Sequence, residues 1–246
     1  MRNIWTIAKK EFSQYFISPI AYAVAFLVLV VAGLIFVLTL VSLSRNSFSA
    51  STPDSSSITG LVAFLFMLFT PALTMRLVAD EVRMGTMELL LTAPLRDYEL
   101  IIGKWLGAFL FLLTIIAVTL IFPLILNGLV KPNGIDQMSM LAGYLGVILV
   151  AAALLALGVG ISAIFSNQIA ALLTTLALFI VLWWLIGAPA RMLQAGAEIF
   201  KYLSLSTQFY DLNQGTISLS GIVYFLSLTG LGLFIGTTAV EIRRWR

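Results

Sequence analysis

Six long runs almost free of charge dominate this sequence, at residues 19–43, 58–78, 100–126, 140–165, 169–186 and 219–240. Each offers about the 20 apolar residues that carry an α-helix across a hydrocarbon core roughly 30 Å thick. Inside lipid a backbone N–H or C=O finds no water, so only helices and closed barrels can span it. The runs are continuously apolar and lack the period-two alternation of a barrel strand. An all-α membrane protein with six crossings is therefore expected. Charged residues make up 10% of the chain, against about 25% in soluble domains, and the connections are too short for a large soluble domain.

Several chemistries are excluded by what the chain lacks. It has neither histidine nor cysteine, which removes thiolate chemistry, disulfides and the usual zinc, haem or imidazole sites. No G-x-x-x-x-G-K-[ST] phosphate loop is present, since Gly103-Lys104 is followed by Trp105, so ATP hydrolysis by that route is not expected of this chain. Away from their ends the spans carry essentially no ionisable side chain, which argues against a proton relay or an ion-coupled pump. The expectation is a non-enzyme without catalytic residues, bound metal or cofactor, and without a nucleic-acid partner.

Cationic residues set the orientation, because lysine and arginine accumulate on the cytoplasmic side. With the N-terminus inside, Arg2, Lys9, Lys10, Arg76, Arg83, Arg96, Lys104, Arg243, Arg244 and Arg246 are cytoplasmic. Arg45, Lys131, Arg191 and Lys201 are outside, a division of ten against four. Both termini are then expected in the cytoplasm of a cell (inner) membrane, with Trp5, Trp105 and Trp245 as anchors at the inner boundary. At about 100° per residue, residues 1–18 form an amphipathic helix. Ile4, Trp5, Ala8, Phe12, Tyr15 and Phe16 share one side, Lys9, Lys10, Ser13 and Gln14 the other, and Ile7 falls off the apolar face. Such a helix suits the plane of a membrane surface, with Trp5, Lys9, Lys10, Glu11 and Phe12 as its contact set.

The segment 79–99 is the densest in charge. Gly85 is placed to break the preceding helix and Thr86 to cap a new one, with Glu88 near its positive end and Pro94 ending it. Met87, Leu89, Leu90 and Leu91 give this short helix an apolar surface. Asp97 is expected to cap the third span, with Glu99 in its first turn.

The residues Glu81, Gly85, Thr86, Glu88, Leu90, Leu91 and Pro94 follow the pattern E-x-x-x-G-T-x-E-x-L-L-x-x-P, which resembles the signature of type-2 ABC transporter permeases. Ile7 with Lys10, Glu11 and Phe12, then Ser18-Pro19, is similar to the connecting helix of the gliding-motility and copper-maturation branch. So are Tyr202-Leu203-Ser204, Gln208-Phe209, Gly215, Tyr224-Phe225 and Arg243-Arg244-Trp245 near the C-terminus. Gln208 departs from that branch, which often carries histidine there, so no imidazole role transfers.

The resemblance implies a single permease domain, 1–246, with a coupling helix in 79–99 that docks on a cytoplasmic ABC ATPase present in two copies. ATP and Mg would be bound by that partner. It also implies a second permease copy or a related permease, and short re-entrant helices in 187–218 shaping an outer gate around Arg191, Glu198, Gln208 and Phe209. Two functions stay open at this point. One is an ATP-driven permease, read as an exporter; the other is a mechanotransmitter that passes ATPase-driven motion to an extracytoplasmic accessory protein.

Overall fold

A computed structural model describes residues 2–45, 55–88, 95–129, 135–189 and 197–244. In chain order the helices are α1 (Arg2–Tyr15), α2 (Pro19–Arg45), α3 (Ser56–Thr74), α4 (Ala79–Arg83), α5 (Asp97–Thr119), α6 (Ile121–Leu129), α7 (Gln137–Ile164) and α8 (Gln168–Ile180). A π-helical turn (Val181–Leu185), α9 (Ala197–Leu203), α10 (Leu205–Asn213) and α11 (Leu219–Arg244) complete the chain. No strand occurs among the described residues. Six stretches are long and apolar enough to cross a membrane: Pro19–Ser42, Ser56–Arg83, Asp97–Leu129, Gln137–Ile164, Gln168–Leu185 and Leu219–Arg244. They coincide with the six runs of the sequence, most ends displaced by one to a few residues and the starts at Pro19 and Leu219 unchanged.

The displaced ends have local causes. The Asp136 carboxylate accepts from the N–H groups of Met138 and Ser139 at 3.0 and 3.3 Å, starting α7 ahead of its apolar run. Asn167 does the same for α8 through the N–H of Ile169, at 2.9 Å. These are N-cap bonds that satisfy donors the helix itself leaves free. The third span follows a different rule from the one expected. Asp97 is the first residue of α5 rather than its cap; the carboxylate of Glu99 reaches back to the Arg96 N–H at 3.2 Å, and Asp97 is left to pair elsewhere.

Pro123 splits that same span into α5 and α6. Proline has no N–H and so cannot bond the carbonyl four residues back, which here belongs to Thr119. The hydroxyl of Tyr144, from α7, donates to that carbonyl at 2.9 Å. In a bilayer this matters, because an unsatisfied carbonyl there costs several kcal/mol.

The core is built around α7, whose most apolar window is 83% buried against 22% for that of α2. Helices α3, α5, α8, α10 and α11 all pack on it. Its surface is small: Ala151, Ala152, Ala153, Ala156, Gly158 and Gly160 are buried along it. At the crossing with α11 a Cβ on Gly160 would lie 2.6 Å from the carbonyl oxygen of Gly232. Gly232 in turn sits against the backbone of Ala156 and Leu157, so the pair lets two backbones meet. Lipid is as apolar as a leucine side chain, so helices in it associate through such close packing and not through a hydrophobic drive.

A leucine at Gly232 should force this crossing apart and cost about 1–3 kcal/mol, the range for overpacked cores. A leucine at Gly230, which faces open space two residues away, should be near neutral. Thermal unfolding in detergent, followed by tryptophan fluorescence, separates the two.

Candidate functional site

The end of the bundle that carries α1, α4 and the last turn of α11 holds a network of several polar contacts. At its centre is Lys104, about 10 Å into α5 at 1.5 Å per residue and 2% exposed. Its ammonium bonds Glu11 of α1 at 2.8 Å and Glu81 of α4 at 2.7 Å. A buried ammonium without partners costs several kcal/mol, so the three elements are held to one another by one charge.

Geometry on α1 makes this possible. Gly103 and Gly107 give α5 a flat strip: a Cβ on Gly103 would lie 2.8 Å from Cβ of Ile7, and one on Gly107 2.6 Å from Cβ of Glu11. The face of α1 that meets α5 is therefore Ile4, Ile7, Ala8, Glu11 and Tyr15. This corrects the sequence reading, in which Ile7 fell off the apolar face. Trp5 is 59% exposed, Lys9 and Lys10 are exposed, and Phe12 is half-buried, with its ring edge-on to Phe16 at 5.0 Å. Tyr15 stacks on Phe111 at 4.9 Å and donates to the Leu73 carbonyl at 3.3 Å. Burial, reinforced by the Glu11 carboxylate, pushes the Tyr15 phenol up from its ordinary range, so it remains a protonated donor.

Behind Lys104 the chain passes from α3 to α4 through a break. The N–H groups of Val78 and Ala79 both donate to the Ser162 hydroxyl of α7, at 3.2 and 3.1 Å, and that hydroxyl donates to the Met75 carbonyl at 3.3 Å. Gln168, opening α8, donates to Asp80. On the other flank Arg243 donates to the carbonyls of Ala163 and Ile164, at 3.2 and 2.9 Å, closing the end of α7. Arg244 pairs with Asp97 at 3.1 Å.

The predicted coupling residues fall beside this network. Glu81 lies within it. Gly85 adopts φ +71°, the left-handed region that ends α4 and favours glycine. Thr86 donates its hydroxyl back to the Glu81 carbonyl at 3.3 Å. Met87 is buried and Glu88 exposed, both helical; Leu89, Leu90, Leu91 and Pro94 lie outside the described residues. Next to Gly85, Met87 and Glu88 a groove of about 550 Å³ runs to Ile164, Ile242 and Arg243.

The predicted outer residues are not gathered into one site. Gln208 and Phe209 are buried at the opposite end of the bundle. Gln208 donates to the Tyr202 carbonyl at 3.1 Å, and Phe209 packs over Gly146 and against Trp183. Glu198 is on an exposed part of α9, and Arg191 lies outside the described residues. At the same end Asn213 ties α10 to α3, donating to the Ser56 carbonyl at 2.9 Å and accepting from Thr59. Trp105, expected as an interfacial anchor, donates its indole N–H to the Ala152 carbonyl, halfway along α7, at 3.0 Å, and so ties two spans together.

A six-span bundle with a charged segment clamped at one end fits the result of comparison with known families. The model of the ABC-2 family transporter proteins matches residues 5–240. The chain belongs to that family. It is a multi-pass membrane protein and the permease subunit of an ABC transporter, a membrane component that in this family is not generally catalytic. No curated protein matches the permease.

The residues that sequence reasoning missed in this permease are the partners of the charges. Ser162 was visible as a polar residue inside an apolar run, but Gln168 and Glu11 carried no sign of where they would bond.

Replacing Lys104 by methionine should cost about 3–5 kcal/mol, because two carboxylates are left buried and unpaired. Adding Glu11→Gln and Glu81→Gln to it should recover most of that loss. Thermal stability of the three proteins in detergent reads the difference; equal losses would mean that the charges are not coupled.

Proposed function

We propose that the permease spans a cell inner membrane with both termini in the cytoplasm and works as the export half of an ATP-driven transporter. The whole of 1–246 acts as one permease domain. Two copies of a cytoplasmic ABC ATPase, holding ATP and Mg, dock on the segment 79–99, and a second permease or a related one completes the pathway. Residues 1–18 lie along the membrane surface as an amphipathic helix, and 187–218 carries the re-entrant helices of the outer gate. The resemblance to the gliding-motility and copper-maturation branch belongs to this same proposal.

One observation carries the reading. Glu88 is exposed directly after a segment fixed to four helices, through Glu81 and Lys104 to α5 and α1 and through Ser162 and Gln168 to α7 and α8, and it borders the groove that reaches α11. A push on an isolated loop would be lost in the loop; a push here is delivered to the spans. The excess of cations at this end supports the cytoplasmic assignment.

Glu88→Ala should leave the permease folded and lower permease-dependent stimulation of the ATPase by roughly tenfold, the equivalent of 1.4 kcal/mol at the contact. Reconstituted vesicles carrying both subunits provide the assay, and unchanged stimulation would count against the docking surface. A second reading is favoured by the exposed face of α9, where Glu198, Ile199, Lys201 and Tyr202 meet solvent. There the same motion passes to an extracytoplasmic accessory protein. Solute movement in vesicles lacking any such protein would eliminate it.

A further inference from the structure

A cleft of about 280 Å³ opens where the C-terminal half of α1 faces the ends of α3 and α4. Ligand sites usually enclose roughly 300–1,000 Å³, so this one has room for a head group and not for a large solute. Its floor is apolar, made by Tyr15, Ile20, Ala72 and Leu73, and its polar lining carries both signs. Arg76 lines it, exposed and without a hydrogen bond or ion pair among the described residues. Asp80 and Glu81, four and five residues further along the chain, line it too.

The acids are not matched one for one by the lysine behind them. Lys104 serves both Glu11 and Glu81 through one oxygen each, so two carboxyl groups share one ammonium. The second oxygen of Glu81, Oε2, is buried with no hydrogen-bond partner. Next to the cleft the turn into α2 presents Phe16 and Ile17, 41% and 80% exposed, and the first turns of α2 present Tyr22 and Phe26. An apolar path therefore leads from a doubly charged cleft onto the outer surface of the first span.

We propose that this cleft holds the head group of a membrane phospholipid that bears a phosphate and a primary ammonium, in the leaflet on the side of the chain termini. A guanidinium forks onto phosphate through paired N–H donors, which gives Arg76 its partner. An ammonium has three donors and carboxylates only accept, which places it between Asp80 and Glu81. The acyl chains leave over Phe16, Ile17 and α2. A choline head group has no N–H to give the acids, and a glycerol head group has no cation at all. The assignment needs the chain to sit in a membrane and does not depend on how it engages an ATPase.

The test is native mass spectrometry of the purified permease equilibrated with an equal mixture of phosphatidylethanolamine, phosphatidylcholine and phosphatidylglycerol. The ethanolamine lipid should be retained roughly tenfold over the choline lipid. Arg76→Ala and Asp80→Asn should each lower that retention by a similar factor, while Arg83→Ala, outside the cleft, should leave it unchanged. Should Arg76→Ala not fold, Arg76→Gln keeps the stem and gives the same comparison. Equal retention of the three lipids, preference for phosphatidylglycerol, or retention unchanged in both cleft variants would overturn the proposal. Displacement of the lipid by soluble O-phosphoethanolamine at equal concentration would also overturn it, by assigning the cleft to a free phosphoamine.

Discussion

Close approach between backbones at α7 is the constraint from which the bundle follows. Among helices in lipid, dispersion and shape must supply what the hydrophobic effect supplies in water. The small surface of α7 meets that demand: Gly160 against Gly232, Gly158 against Thr74 of α3, and Gly146 under Phe209 and Leu212 of α10. The same device recurs at the periphery, where Gly103 and Gly107 let α1 lie on α5. Without that second flat strip, Glu11 would stand too far from Lys104 for an ion pair. The placement of charge in this permease is thus a consequence of where glycine falls.

Polar groups complete what packing begins, and each has a specific debt of the backbone or of a charge to settle. Tyr144 takes the carbonyl that Pro123 abandons, Arg243 takes the last carbonyls of α7, and Lys104 lies between two acids from distant parts of the chain. The Arg243 and Lys104 contacts lie at the end of the bundle where the proposed ATPase surface lies, and the Tyr144 contact lies toward the other. The opposite end is joined by neutral groups, Asn213 with Thr59 and Gln208 with the Tyr202 carbonyl. Such a division stiffens one end through charge and holds the other through amides and hydroxyls.

The spans were legible because twenty consecutive apolar residues have few alternatives to a membrane helix. Gly85 was legible too, since a residue without Cβ ahead of a new helical turn indicates a left-handed stop. The faces of α1 were less so. Hydrophobicity ranks Glu11 as polar and turns it outward, yet a lysine ninety-three residues later makes it an inward residue, and periodicity has no access to that distance. Asp97 shows the same limit on a smaller scale: residue type marked it as a cap, whereas Glu99 closes the helix from inside and frees Asp97 for Arg244. Gln208 and Phe209, expected at an outer gate, are buried in this fold, where neighbours from α9 and the π-helical turn decide their environment.

The break between α3 and α4 leads to a different point. Interrupting a helix ordinarily exposes amide protons that must find water, which confines such joints to the wet margins of a membrane. Here Ser162, from a neighbouring span, receives the protons of Val78 and Ala79, so the joint carries its own solvent. Its position is fixed by the helix beside it and is indifferent to how thick the surrounding bilayer happens to be.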